Sequence, residues 1–335
     1  MKKKILYGTF ITLSIIGIIF LLGPKPSKPQ YNKQLPEIAV DLDQLDTFIA
    51  QKEAQYTIKP DNQSRIIWAN DTLKQKTEWV LLYLHGFSAS WYEGSDLNLD
   101  FVARYHCNAY FPRLADHGLV TDDPLLHMAP DSLWNSAKEA LVIARKLGHK
   151  VMIMSTSTGG TLALKLAAEY PELVQGLILY SPNIEINAPT GIVSKPWGLQ
   201  IARLIFGGKY RTVSEQFDSK ECTYWNCKYR LEAVMYLQQL VETTMRKETF
   251  QKVKCPVFLG YYYKDKKNQD PVVKVSAELK MFEQLGTRDD QKVKKGFPNA
   301  GVHVIANTHF SRDFKNVESE TFRFADSLIK QKIKP

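Results

Sequence analysis

Residues 152–162, which read "MIMSTSTGGTL", decide the fold because they join a strand, a turn and a helix within one short stretch. The first residues are an uninterrupted apolar run, which is typical of a strand covered on both faces. The turn is centred on Ser157, and Gly159 and Gly160 follow where a helix would pack closely on the strand. The stretch therefore predicts a parallel sheet with Ser157 at the carboxyl end of one strand.

Further apolar runs of the same kind lie on both sides of this stretch, and helical spacing separates them. They are Trp79–Phe87, Asn108–Leu114, Val174–Pro182 and Cys255–Tyr263. Alternating strands and helices predict an α/β fold with a mostly parallel, doubly wound sheet. The alternation stops between residues 184 and 252, where helical stretches and aromatic segments occur. We therefore expect a core in two parts, 37–183 and 253–335, with a helical cap at 184–252 inserted between them.

The N-terminus opens with Lys2–Lys4 and an apolar run from Ile5 to Gly23. The run is just long enough to cross a hydrocarbon core, and it lacks the small-residue exit of most cleaved signal peptides. We therefore expect residues 1–23 to be an uncleaved membrane anchor, with a cleaved signal as the alternative. Since the lysines should stay cytoplasmic, the catalytic part would be extracytoplasmic, either periplasmic or at the cell surface. Residues 24–36, rich in proline and lysine, would form a linker.

The composition argues against several classes of protein. The net charge is +9, but the lysines are scattered and no basic stripe alternates with aromatic residues, so we expect no nucleic-acid partner. None of the four cysteines stands in a C-x-x-C pair or at zinc-ligand spacing, and we expect neither a metal nor an organic cofactor. Cys222 and Cys227 could form a local disulfide in an oxidising compartment. The sequence makes no prediction of the oligomeric state.

Acidic and basic partners for Ser157 occur far along the chain. A serine hydroxyl acts as a nucleophile when a base, usually histidine, takes its proton and a carboxylate orients that base. After the insertion come Asp270, in "DPVV", and then His303, in "GVHVI". Serine, acid and histidine therefore follow one another in an order that such triads use. Asp265 is a second candidate for the acid, and His309 is a second candidate for the base.

Two further motifs complete the pattern: "LHGFSAS" at residues 84–90 and "PRLADHGL" at residues 112–119. With the turn and the two late motifs, they resemble the α/β-hydrolase superfamily, and within it the carboxylesterases and monoacylglycerol-lipase-like enzymes. The resemblance covers residues 65–335 and implies the α/β-hydrolase fold. One departure is Ser155, which stands where the family's Gly-x-Ser-x-Gly turn has its first glycine.

The resemblance implies a serine hydrolase that cleaves small or lipid-like carboxylic esters, monoacylglycerols among them, through an acyl-enzyme. The alternatives are the same triad acting on thioesters, amides or carbon–carbon bonds, or a non-catalytic binding protein with a hydrolase-like fold. The implied site residues are Ser157 as nucleophile, Asp270 as acid, His303 as base, and the backbone N–H groups of Phe87 and Thr158 as the oxyanion hole.

Overall fold

The computed structural model describes residues 7, 10, 14–15, 17–213 and 218–329, and a seven-stranded sheet forms its centre. The strands of the described residues are β1 (Arg65–Ile67), β2 (Thr77–Leu84), β3 (Asn108–Phe111), β4 (Gly148–Thr156), β5 (Gly176–Tyr180), β6 (Tyr210–Thr212), β7 (Lys228–Arg230), β8 (Val257–Tyr261) and β9 (Lys292–Gly296). In the central sheet the order is β1-β3-β2-β4-β5-β8-β9. Only β1 is antiparallel to its neighbour, which confirms the predicted mostly parallel sheet.

Helices cover both faces of this sheet. The α-helices of the described residues that have eight or more residues are α1 (Leu45–Glu53), α2 (Ser95–Tyr105), α3 (Pro130–Leu147), α4 (Thr158–Glu169), α5 (Gly198–Ile205), α6 (Leu231–Thr244), α7 (Val275–Gln284) and α8 (Phe314–Ile329). The shorter α-helices are Glu221–Tyr224 and Lys247–Phe250. Side chains of β2 alternate between the two faces: Leu82 packs in the apolar core with α3 and α4, and Leu81 packs in the core with α2 and α8. The predicted doubly wound arrangement is therefore confirmed.

The chain between β5 and β8 leaves the sheet, as the break in the sequence pattern predicts. It contains α5, α6, and the antiparallel ribbon of β6 and β7, which the sequence did not predict. A disulfide joins Cys222 to Cys227 in the segment between the two ribbon strands. We call residues 184–252 the cap, and its boundaries, like those of the linker and the two core parts, stay predictions.

The predicted membrane anchor at residues 1–23 lies partly outside the described residues. Within the described part of the chain, no helix has both the length and the apolar character needed to span a bilayer. The end of the apolar run instead contacts the cap, because Trp197 Nε1 donates to the Ile19 carbonyl and the buried Gly23 lies against the Trp197 ring. The prediction of a membrane-spanning anchor is therefore wrong, and the membrane partner and the extracytoplasmic location inferred from it lose their basis.

Candidate active site

Ser157 occupies the tight turn between β4 and α4, at the carboxyl end of β4. Its φ of 54° and ψ of −118° are unusual for a residue with a side chain, and such strain is concentrated at functional sites. The turn is held by its backbone: the Ser157 N–H donates to the Tyr180 carbonyl at 3.0 Å, and its own carbonyl accepts from Asn183 N–H at 2.9 Å. The strained turn is thus anchored to β5 and to the loop that follows it.

Glycines are required after the turn and not before it. A Cβ on Gly159 would lie 1.8 Å from the carbonyl oxygen of Leu84, and one on Gly160 would lie 2.6 Å from Cβ of Pro182. Helix α4 therefore packs so closely on the neighbouring backbone that no side chain fits at either position. Ser155 lies earlier, inside β4, where it pairs with Leu84 in the sheet and is buried.

Asp270 and His303 form a buried pair. His303 Nδ1 lies 2.7 Å from Asp270 Oδ2, while Asp270 Oδ1 accepts the backbone N–H groups of Val272 and Val273 at 2.8 and 3.0 Å. Burial alone would raise the pKa of the Asp270 carboxyl, but the charge and hydrogen bond of His303, together with these N–H groups, hold that pKa below its usual range. Asp270 is therefore an ionised acceptor that fixes the orientation of the imidazole.

The other ring nitrogen of His303 is available for chemistry. Nε2 is buried and has no hydrogen-bond partner among the described residues. Burial lowers the pKa of His303, but the charge and hydrogen bond of Asp270, helped by the charge of Glu93, raise it above the ordinary value. His303 and Ser157 both line one cavity of about 690 Å³. The cavity thus brings Ser157 and His303 together, with Asp270 on the far side of the imidazole.

Two backbone N–H groups beside Ser157 have no protein acceptor. In the part of the chain that the structure describes, neither Phe87 N–H nor Thr158 N–H donates to another protein atom. Thr158 is the first residue of α4, where N–H groups are unsatisfied and point along the helix dipole. The Phe87 loop comes close to the serine, since a Cβ on Gly86 would lie 3.1 Å from Ser157 Cβ. Two unpaired N–H groups thus lie on the two segments next to Ser157, and their role as an oxyanion hole stays a prediction.

Two histidines brace the loop that carries Phe87. His117 Nε2 accepts the Ser88 N–H at 3.1 Å, and His85 Nε2 accepts the Leu114 N–H at 3.1 Å. Burial lowers the pKa of His117 to about 4, so its ring stays neutral and keeps this acceptor nitrogen. The "LHGFSAS" and "PRLADHGL" motifs therefore meet in space, and their histidines position the loop.

Glu93 is a site residue that the sequence did not indicate. Its Oε2 accepts the Gly86 N–H at 2.6 Å and lies 3.2 Å from the Tyr83 hydroxyl, and its side chain lines the cavity with Ser157 and His303. Burial raises the pKa of Glu93 to about 7, although the Gly86 N–H, the charge of His303 and the Tyr83 hydroxyl each act against that rise. Glu93 thus exchanges its proton near neutral pH directly behind the Phe87 loop.

The alternative acid and base lie apart from this pair. Asp265 is exposed, and its carboxylate accepts from Lys267 N–H and from Asn268 within its own loop. His309 Nε2 lies 3.2 Å from Glu221 Oε1 at the cap. The structure therefore brings Asp270, and neither alternative, into contact with His303.

A possible metal-ligand group occurs at the edge of the cavity. Ligand atoms of Asp218, Glu221 and His309 lie within 4.8 Å of one another. Asp218 and Glu221, however, already accept each other's backbone N–H at 2.7 Å, as residues at the start of a short helix commonly do. These contacts account for the cluster without an ion, and the expected absence of a metal or cofactor stays a prediction.

The cavity walls combine core and cap. Phe87, Val302 and Phe310 come from the core, and Ile186, Val234 and Leu237 come from the cap. The rings of Phe87 and Tyr229 meet edge to face at 5.1 Å, so β7 of the cap touches the proposed oxyanion loop. A mostly apolar cavity with a few polar groups at one end is the usual form of a site for a small organic ligand.

Comparisons with known proteins give one family match and several similar folds. A family model described as "Serine aminopeptidase, S33" matches residues 135–300. No protein with a curated description matches the chain. A solved structure of the lipolytic enzymes LipS and LipT, derived from a metagenome, is 16% identical; the match covers 81% of this chain and 100% of that chain, with a TM-score of 0.63.

Two monoglyceride lipases have similar folds. The monoacylglycerol lipase of Paleococcus ferrophilus is 14% identical over 80% of this chain and 98% of its own, with a TM-score of 0.57. A soluble variant of the Saccharomyces cerevisiae monoglyceride lipase, solved with a substrate analogue, is 16% identical over 79% and 90%, with a TM-score of 0.54. Identities this low compare folds and not substrates. The chain is therefore an α/β-hydrolase by fold, and it resembles the hydrolases of esterase and lipase type.

Proposed function

We propose that the protein is a serine hydrolase that cleaves carboxylic esters through an acyl-enzyme. Ser157 would be the nucleophile, His303 the general base and Asp270 the acid that orients it. The observation that carries the proposal is the 2.7 Å contact between His303 Nδ1 and Asp270, with Nε2 of the same ring free in the cavity that Ser157 lines. A buried histidine held at one nitrogen and free at the other is the form that a general base requires.

The reaction would proceed in two halves. Ser157 Oγ attacks the ester carbonyl while His303 Nε2 takes its proton, and the Asp270 carboxylate stabilises the imidazolium that forms. The N–H groups of Phe87 and Thr158 stabilise the oxyanion, a contribution of roughly 3 kcal/mol for each donor in such sites. His303 then protonates the leaving alcohol. A water molecule, activated by the same nitrogen, releases the acid and restores the serine.

The apolar walls favour an ester with an apolar acyl or alcohol part, such as a monoacylglycerol or a simple alkyl ester. Ile186, Val234 and Leu237 would pack against that part. Burying one methylene group contributes about 0.8 kcal/mol, so the rate should rise with chain length until the cavity is full. Lipolytic enzymes are among the proteins with a similar fold, so esters are the first substrate class to test.

An aminopeptidase is the second candidate, because the matching family model carries that description. Such an enzyme must bind the substrate's free ammonium group with a carboxylate. Glu93 and Glu221 line the cavity, but Glu93 accepts Gly86 N–H, and Glu221 accepts Asp218 N–H and contacts His309. The cavity therefore favours an ester over a peptide with a free N-terminus.

The proposal is tested first by active-site labelling. A fluorophosphonate should label the wild type and Ser155→Ala, whose serine is buried inside β4, but not Ser157→Ala. A panel of alkyl esters, thioesters and aminoacyl anilides, measured with the same enzyme, then ranks the substrate classes. Absence of labelling in the folded wild type would favour a non-catalytic binding protein. Faster turnover of the anilides than of the esters would favour the aminopeptidase.

A further inference from the structure

Arg211 places a positive charge inside an otherwise apolar part of the cavity. It belongs to β6 of the cap and lines the same cavity as Ser157 and His303. An arginine on an apolar wall is costly unless an anion pairs with it, because its charge is partly removed from water.

The ribbon of the cap places Arg211 beside Tyr229, which contacts the Phe87 loop. Arg211 is directly opposite Tyr229 in the antiparallel pair of β6 and β7, so the two side chains share one face of the ribbon with Cβ atoms about 5 Å apart. The Tyr229 ring contacts Phe87, whose N–H is a proposed oxyanion donor. Tyr229 therefore lies between Arg211 and the loop that carries Phe87, and all three side chains line the same cavity.

No acidic side chain of the described residues forms an ion pair with Arg211. Its guanidinium carbon lies 5.4 Å from the centre of the Phe206 ring. Burial raises the pKa of the Tyr229 hydroxyl, and the positive charge of Arg211 together with a hydrogen bond from Arg211 acts against that rise, so this partner of the guanidinium is a neutral hydroxyl and leaves the positive charge without a counter-ion. The carboxylates on the cavity wall, Glu93 and Glu221, are occupied by their own hydrogen bonds.

We propose that the substrate is an ester that carries a second, anionic group, a free carboxylate, and that Arg211 binds this group. This proposal rests on the proposed function and names the class of ester. A guanidinium binds a carboxylate through two parallel hydrogen bonds, which fixes the position of the substrate as well as adding affinity. The net charge of +9 would also favour the encounter with an anionic ester.

The test compares esters that differ only in the free acid. On the acyl side, monomethyl glutarate and monomethyl adipate are paired with methyl pentanoate and methyl hexanoate. On the alcohol side, 4-acetoxybutanoate is paired with butyl acetate. The wild type should prefer the anionic member of at least one pair in kcat/KM by about 10- to 100-fold, which is the range expected of a charged hydrogen bond. Added salt should weaken this preference.

The variants are Arg211→Gln, Arg211→Lys and, as a matched control, Arg246→Gln, which removes an exposed arginine of the cap that does not line the cavity. Arg211→Gln should lose the preference, so that the two members of each pair are hydrolysed with similar kcat/KM. Arg211→Lys should keep part of it, and Arg246→Gln should keep all of it. If the wild type hydrolyses both members of every pair equally, the inference is overturned while the proposed function stands. If it hydrolyses no ester of either kind, both fail.

Discussion

Glu93 should make the folded protein less stable as the pH rises from 5 to 8. Its carboxyl is fully buried behind the Phe87 loop, where it accepts the Gly86 N–H and lies beside the Tyr83 hydroxyl. The groups that face it are Tyr83 from β2 and His303 from the loop after β9. Burial raises its pKa from 4.5 to about 7, so the folded state keeps a proton that the unfolded state has lost.

The size and sign of the effect follow from this pKa. Between pH 4.5 and 7 the folded state binds more protons at Glu93 than the unfolded state does, so stability falls as the pH rises through that window. Each unit of pKa difference corresponds to 1.36 kcal/mol, which gives a loss of about 2 to 3 kcal/mol between pH 5 and pH 8. Glu93→Gln keeps an oxygen that can accept the Gly86 N–H but cannot ionise, and should remove this loss.

The assay is chemical unfolding of the wild type and Glu93→Gln at pH 5 and at pH 8. The difference in the free energy of unfolding, variant minus wild type, should be about 2 to 3 kcal/mol larger at pH 8 than at pH 5. Because His303 also titrates and faces Glu93, the same pair is compared in a His303→Gln background, where the change should persist. If this difference is the same at pH 5 and pH 8 in both backgrounds, Glu93 does not have the raised pKa on which the prediction depends.

Three further predictions concern the catalytic pair, the turn and the cap. Asp270→Asn should lower kcat on a neutral ester by about 10³- to 10⁴-fold, because the imidazole loses its orienting carboxylate, and a loss under 10-fold would contradict this role. Gly159→Ala should lower the free energy of unfolding by about 3 kcal/mol, since its Cβ would lie 1.8 Å from the Leu84 carbonyl; Gly191→Ala, with open space around it, should melt like the wild type. Reduction of the Cys222–Cys227 disulfide, with a sequence separation of 5, should cost about 2 kcal/mol in thermal unfolding, and an unchanged melting temperature would count against a stabilising role.

The parts of the site that the sequence predicts are those fixed by parallel-sheet topology. Ser157 follows β4, Asp270 follows β8 and His303 follows β9. The carboxyl ends of parallel strands meet at one edge of the sheet, so the loops that follow those strands converge there. Their order along the chain therefore indicates a common site, even though Ser157 and His303 are far apart in sequence.

The parts that the sequence did not predict depend on contacts that no local pattern encodes. Glu93 lies in a short 3₁₀ turn, and it reaches Gly86 only because the loop folds back on itself. Arg211 faces the cavity because β6 pairs with β7, and the register of such a short ribbon has no strong apolar pattern to reveal it. The membrane-anchor prediction for residues 1–23 is wrong for a related reason, since composition alone does not reveal that Gly23 contacts Trp197.

Ser155 shows which part of the turn motif the fold requires. The first glycine of the family pattern corresponds to a position inside β4, where Ser155 pairs with Leu84 and Leu179 and is fully buried. Its hydroxyl has no hydrogen-bond partner among the described residues, so the position accommodates a small side chain without using it. The close approach occurs instead at Gly159, where the Leu84 carbonyl leaves no room for a Cβ. The position in this turn that has no room for a side chain therefore lies after Ser157. A serine two residues before Ser157 is compatible with the strained conformation.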